Sequence, residues 1–170
     1  MNRRARILGT LAIAAVVLGG CLGSEGSSPS ASPSAAPPPL DVAAVTVALK
    51  GAGVAVVDVA NDLNIRDGAW KCVPGIFRLA RVSQQAAGVL QRPGGPPAID
   101  ILVFPSDALR ATAQAAIGSD GQVHTPGCAV MVDWVGKPHV IGVKNVILFV
   151  ATDDPATVAA VEAAAKTLRA

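Results

Sequence analysis

Ala98-Ile99-Asp100-Ile101-Leu102-Val103-Phe104-Pro105-Ser106-Asp107 is the stretch that decides the fold. Ala98 to Phe104 is apolar on nearly both faces and interrupted only by Asp100, so it reads as a strand lying centrally in a sheet. Pro105 ends the strand, and Ser106 is the expected N-cap of a helix. Leu109, Ala113, Ala116 and Ile117 give that helix a modest inner face, and Gly118 closes it. Ser106-Asp107 resembles a nucleophile–acid pair only out of context. At a strand-to-helix junction, capping explains it.

Upstream, Arg92-Pro93-Gly94-Gly95-Pro96-Pro97 is a turn, and Ile76 to Val82 and Ala87 to Gln91 read as two short strands. Asn61 to Gly68 is polar and is expected to be a loop, after a β-branched strand from Val54 to Val59. Leu40 to Gly53 is the opening helix: Asp41 is its N-cap, and Val42, Val45 and Leu49 share one face. Leu40 and Val45 stand where a hydrophobic staple would place them.

Downstream, Ser119 to Gly127 is expected to be a polar loop carrying His124. Ala129 to Val135 alternates, with Val130, Val132 and Trp134 on one face and Met131 and Asp133 on the other. Gly136 to Asn145 brings the chain round to a second buried strand, Val146 to Val150. Asp153-Asp154-Pro155 starts a final helix, lined by Val158, Val161, Ala165 and Leu168. Short connections between consecutive strands imply antiparallel pairing. The expectation is a single α+β domain over residues 40–170, a mainly antiparallel sheet with about three helices packed on one face.

The N-terminus carries a different signal. Arg3, Arg4 and Arg6 precede an apolar run from Ile7 that closes at Leu18-Gly19-Gly20-Cys21. Basic start, short apolar core and small residues before the cut make a secretory signal over residues 1–20. The run is too short to span a ~30 Å hydrocarbon core comfortably. The cysteine after the small pair makes the stretch resemble a bacterial lipobox, which implies that Cys21 is acylated and becomes the first mature residue. Leu22 to Pro39 is Ser, Pro, Ala and Gly with one charge, Glu25, and is expected to be a disordered linker. The chain is thus expected on the extracytoplasmic face of a cell membrane, held by membrane lipid.

With the three arginines removed, eleven basic side chains face twelve acidic ones, a side-chain charge of −1. Neither a basic stripe nor aromatic interleaving supports nucleic-acid binding. Beyond Cys21 the cysteines form an even pair, Cys72 and Cys128, and outside the cytoplasmic membrane a disulfide is the expected state. Closing that loop contributes about 4 kcal/mol in the chain-entropy picture. A metal site from Cys72, His124 and Cys128 lacks a close cysteine pair and a fourth ligand, so no metal or other cofactor is expected.

From about Ile99 onward the chain resembles a group of uncharacterised bacterial secreted lipoproteins. The residues that carry the likeness are Val103-Phe104-Pro105, Met131-Val132-Asp133-Trp134-Val135, Pro138-His139, Val146 to Val150 and Asp153-Asp154-Pro155. The resemblance implies a lipobox, a Ser/Pro linker and one small α+β domain, with no activity attached. Where similar proteins often carry aromatics after Pro-His, this chain has Val140-Ile141.

No Gly-x-Ser-x-Gly, phosphate loop, dinucleotide fingerprint or His-Glu-x-x-His is present. Candidate binding residues are Asp133, Trp134 and His139, since a bend at Pro138 could bring the imidazole to either neighbour. The first expectation is a non-enzymatic, membrane-tethered module that binds an envelope protein or other ligand. The alternative is a small hydrolase or ligand-processing site using His139, Asp133 and Ser106.

Overall fold

The computed structural model describes residues 38–66, 68–84 and 98–170. The expected signal, Cys21, most of the expected linker, and the strand and turn expected at Ala87–Gln91 and Arg92–Pro97 lie outside the described residues. In chain order the elements are α1 (Val42–Gly51), β1 (Val56–Ala60), β2 (Arg78–Gln84), β3 (Ile99–Val103), α2 (Asp107–Ala116), β4 (Val123–Thr125), β5 (Cys128–Val130), β6 (Pro138–Val143), β7 (Val146–Ala151) and α3 (Pro155–Arg169). Each helix opens at its expected cap: Asp41 accepts from the Ala44 N–H, Ser106 from Leu109, and Asp154 from Ala156 and Thr157.

The main sheet runs β1-β2-β3-β7-β6 with every neighbouring pair antiparallel, so the expected α+β class with an antiparallel sheet is what the chain adopts. β3 is central, and all five of its residues are buried. Because side chains alternate, its two faces serve different cores. Ile99, Ile101 and Val103, with Val146, Leu148 and Val150 of β7, meet Val45 and Leu49 of α1 and Val161, Ala165 and Leu168 of α3. Leu102, Ile147 and Phe149 face the other way, onto Ala113 of α2, Ile117, Val123 and Trp70. The helices therefore divide between the two faces instead of sharing one. The crossover from β3 to β6 carries α2 to the side opposite α1 and α3.

Three local expectations are corrected. Pro138–Val143 is an edge strand, not a simple connection, paired to β7 from Pro138↔Ala151 to Val143↔Val146. A proline at the first residue of an edge strand removes no needed donor, and Gly142 makes room for the side chains of Gln114 and Arg110 from α2. His124 lies in a short hairpin, β4–β5, turned at Pro126-Gly127 with Gly127 at φ +76°, not in a loop. The Ala129–Val135 strand is cut short after Val130. There the Gln122 amide takes both backbone groups of Val132, donating to its carbonyl at 2.8 Å and accepting from its N–H at 3.0 Å. A side chain thus replaces the ladder.

Two devices tie the ends of the fold. Cys72 and Cys128 form the expected disulfide, with Cα atoms 5.7 Å apart. It joins the irregular segment before β2 to the hairpin, where Thr125 Oγ1 also donates to the Cys72 carbonyl at 2.7 Å. At the β6–β7 turn, Asn145 is 2% exposed and holds the first residues of the domain. Its Oδ1 accepts from the Leu40 N–H at 2.8 Å, and its Nδ2 donates to the Leu40 and Phe104 carbonyls, each at 3.0 Å. Among the described residues no helix is long and apolar enough to cross a membrane.

Candidate functional site

Strand register sets Arg81, Asp100, Phe149 and Val140 in one row across β2, β3, β7 and β6. Asp100, 3% exposed, is the polar residue in that row that burial makes costly, and its partners answer the cost. Arg81 Nε donates to Oδ1 at 2.6 Å, Arg81 Nη2 to Oδ2 at 3.0 Å, and Trp70 Nε1 to Oδ2 at 2.7 Å. The bidentate fork matches a carboxylate. Hydrogen bonding to Asp100 raises the Arg81 pKa, against the smaller effect of partial burial. Trp70 packs edge-on to Phe149 at 4.7 Å and stacks with Trp134 at 5.7 Å, while Trp134 and Phe149 stand 4.5 Å apart. This cluster is enclosed, with Trp70 2% and Phe149 2% exposed, and its chemistry is that of a core tie.

The sequence-predicted residues do not converge. Trp134 belongs to the aromatic cluster. His139 pairs with Val150, whose side chain faces α1 and α3, so the imidazole stands on the opposite side of the sheet from Trp134. Its Nε2 lies 3.3 Å from the Thr152 carbonyl, which it meets as a donor in the Nε2–H tautomer. Asp133 is exposed and forms no ion pair with His139. Ser106 follows the Val103 end of β3, whereas His139 sits four pairs along β7 from Val146, a separation of roughly 13 Å along the strand alone. Cys72 and Cys128 are joined to each other, and among the described residues no group of three or more His, Cys, Asp or Glu could hold a metal. His124 instead stands 3.6 Å from Asp120, both exposed. The Gln122 backbone N–H holds the Asp120 carboxyl below its ordinary range, with His124 adding to it.

What the fold opens to solvent lies elsewhere, at the end of the sheet where Leu40 is latched. A groove of about 360 Å³ is lined by residues that include Pro39, Leu40, Phe77, Arg78, Val103 and Pro105. The volume is at the small end of ligand sites. Phe77 is 66% exposed beside it. Arg78 also borders a more polar depression of about 520 Å³ next to α1, where it pairs with Asp62 at 2.9 Å. Both side chains of that pair are largely in water, so the pair holds the guanidinium weakly. Sequence reasoning placed Phe77 inside a strand and Leu40 in a staple. No local pattern reports that residues 39, 77 and 105 meet. Comparison with known proteins finds no matching family, no similar curated protein and no similar solved structure.

Proposed function

We propose that the chain is an extracytoplasmic, non-enzymatic binding module, held to a membrane by an acyl group on Cys21. The anchor is argued from the sequence: the basic cluster at Arg3, Arg4 and Arg6, the apolar run and the small pair before Cys21. The observation that carries the binding reading is the groove beside Leu40, apolar in most of its lining and carrying an exposed Phe77, with Asp41 and Arg78 as its charged residues. That combination suits an apolar ligand or partner surface with a polar end.

Native mass spectrometry of the full-length chain extracted from its own membrane tests this. The expected mass lacks residues 1–20, carries lipid on Cys21 and shows the two-hydrogen deficit of the Cys72–Cys128 bond. An unmodified Cys21 overturns the anchor. Turnover of an ester or peptide substrate by the purified chain, lost in His139→Ala, overturns the non-enzymatic reading.

A further inference from the structure

We propose that the end of the domain bearing Leu40 and Phe77 is a membrane-contacting surface, seated in the interfacial layer of the bilayer that holds Cys21. This rests on the anchored reading and names the partner of the same groove. Sixteen residues separate Cys21 from Pro38, a contour of at most about 55 Å. The Asn145 latch sets where the described chain begins its path into the domain. Its hydrogen bonds to Leu40 fix the place where the chain enters the domain beside the groove, at the β6–β7 turn. The chain therefore enters the domain at the same end that carries the apolar surface.

What sets that surface apart from the exposed Val47, Val57, Met131 and Val135 is an aromatic ring. There are five aromatic residues, three Phe and two Trp. Trp70, Trp134, Phe104 and Phe149 gather in one cluster, and Phe77 alone stands 66% exposed. Pro38, Pro39 and Pro105 are exposed around the point where the chain enters, and Leu109, 42% exposed, lies 3.6 Å from the Cβ position of Gly75, two residues before Phe77. Arg78 and Lys144 can extend their stems past such a surface to reach phosphates. Asp41, Asp107 and Asp62, the last paired with Arg78, more than offset them in charge, so the contact depends on apolar insertion and withstands salt. At the far end of the sheet, Lys137 bonds to Thr152 and Asp153, and the neighbouring Val135, 80% exposed, serves as the internal control.

The test uses the full-length lipidated protein in phosphatidylcholine–phosphatidylglycerol nanodiscs containing nitroxide-headgroup lipid, read by amide NMR attenuation. Leu40, Phe77 and Lys144 should be broadened severalfold more than Val135 and Lys137, at low and at high salt. Phe77→Asp, at an exposed position, should equalise the two ends while lipid stays on Cys21. Phe77→Ser should do the same if the aspartate charge is not the cause. Equal broadening at both ends, or stronger broadening at Val135, overturns the proposal while leaving the anchor intact. An unlipidated chain overturns both. Protection of Phe77 that grows with protein concentration in the absence of lipid overturns it in favour of a second copy of the chain.

Discussion

Replacing Asp100 by Asn keeps the shape of the side chain and removes its charge, which isolates the tie between β2, β3 and the segment carrying Trp70. The carboxylate accepts three bonds, two from Arg81 and one from Trp70. Bonds to a charged group contribute about 1.5–3 kcal/mol each when buried. The Arg81 side chain is 47% exposed and regains water when released, so its two bonds are discounted heavily. The Trp70 N–H has no such recourse at 2% exposure, although an Asn oxygen turned toward it preserves that bond at the expense of facing an amide NH₂ toward Arg81. The expected loss is about 2–3 kcal/mol, or roughly 10 °C in Tm for a domain of this size. Asp100→Leu, which strands both donors, should lose more. Chemical denaturation of the oxidised protein gives the stability, and emission from the stacked Trp70–Trp134 pair reports the local environment. A change below about 1 kcal/mol for both variants would refute the assignment of Asp100 as the tie.

The remaining expectations test other parts of the same scaffold. Cys72→Ala with Cys128→Ala should lower stability by up to about 4 kcal/mol, given a separation of 56 residues. Amide exchange should rise first in β4 and β5, whereas exchange rising first in α3 would contradict the division into two faces. Gly121→Ala should cost more than about 2 kcal/mol, because at φ +74° its Cβ would lie 2.7 Å from Trp134 Nε1 and 2.9 Å from Pro138 Cβ. Gly127→Ala, at φ +76° with nothing within 4 Å, should cost only the backbone strain of about 1 kcal/mol, and equal losses at the two sites would show that contact is irrelevant. The Thr157 hydroxyl, with the Thr157 and Ala156 N–H groups, holds the Asp154 carboxyl below its ordinary value. A depressed folded pKa gives stability that is present above the unfolded value and lost as pH falls through the folded one. Asp154→Asn, which keeps an acceptor at the cap, should therefore flatten the stability curve below about pH 4. An unchanged acid limb would remove Asp154 from the account.

Features with a local cause were readable from the sequence. Asp41, Ser106 and Asp154 cap their helices through their own neighbours, and the apolar runs of β3 and β7 need no knowledge of the sheet order. β6 was hidden because a strand beginning Pro138-His139 and containing Gly142 acquires its pairing from β7 alone. The end of β5 depended on the Gln122 amide reaching Val132, ten residues away. The Arg81–Asp100 tie needs cross-strand register, which no periodicity in either segment encodes. His139 and Trp134 were separated by parity along the sheet: pairing with Val150 puts the imidazole on the α1/α3 side. The groove was unreadable for the same reason, since its lining is assembled from segments that are remote in the chain.

The two faces of the sheet also explain where the covalent bond belongs. On one face α1 and α3 cover β3 and β7 with aliphatic side chains, and helices bring their own backbone hydrogen bonds to the interface. On the other, α2 contributes little beyond Ala113, and the rest of the cover is the irregular segment around Trp70 and Cys72 with a two-stranded hairpin. Such a cover is largely irregular, and an isolated hairpin is marginal in water. The disulfide, the Thr125 bond to the Cys72 carbonyl, the Gln122 clamp and the Trp70–Asp100 bond all fall on this face. They hold in place what helix packing holds on the other. The Asn145 latch belongs to neither face: it closes the end of the sheet where the chain arrives, leaving the groove and Phe77 open beside it. The cross-links thus lie on the side covered by loops, and the exposed aromatic, Phe77, lies at the end where Leu40 enters the sheet.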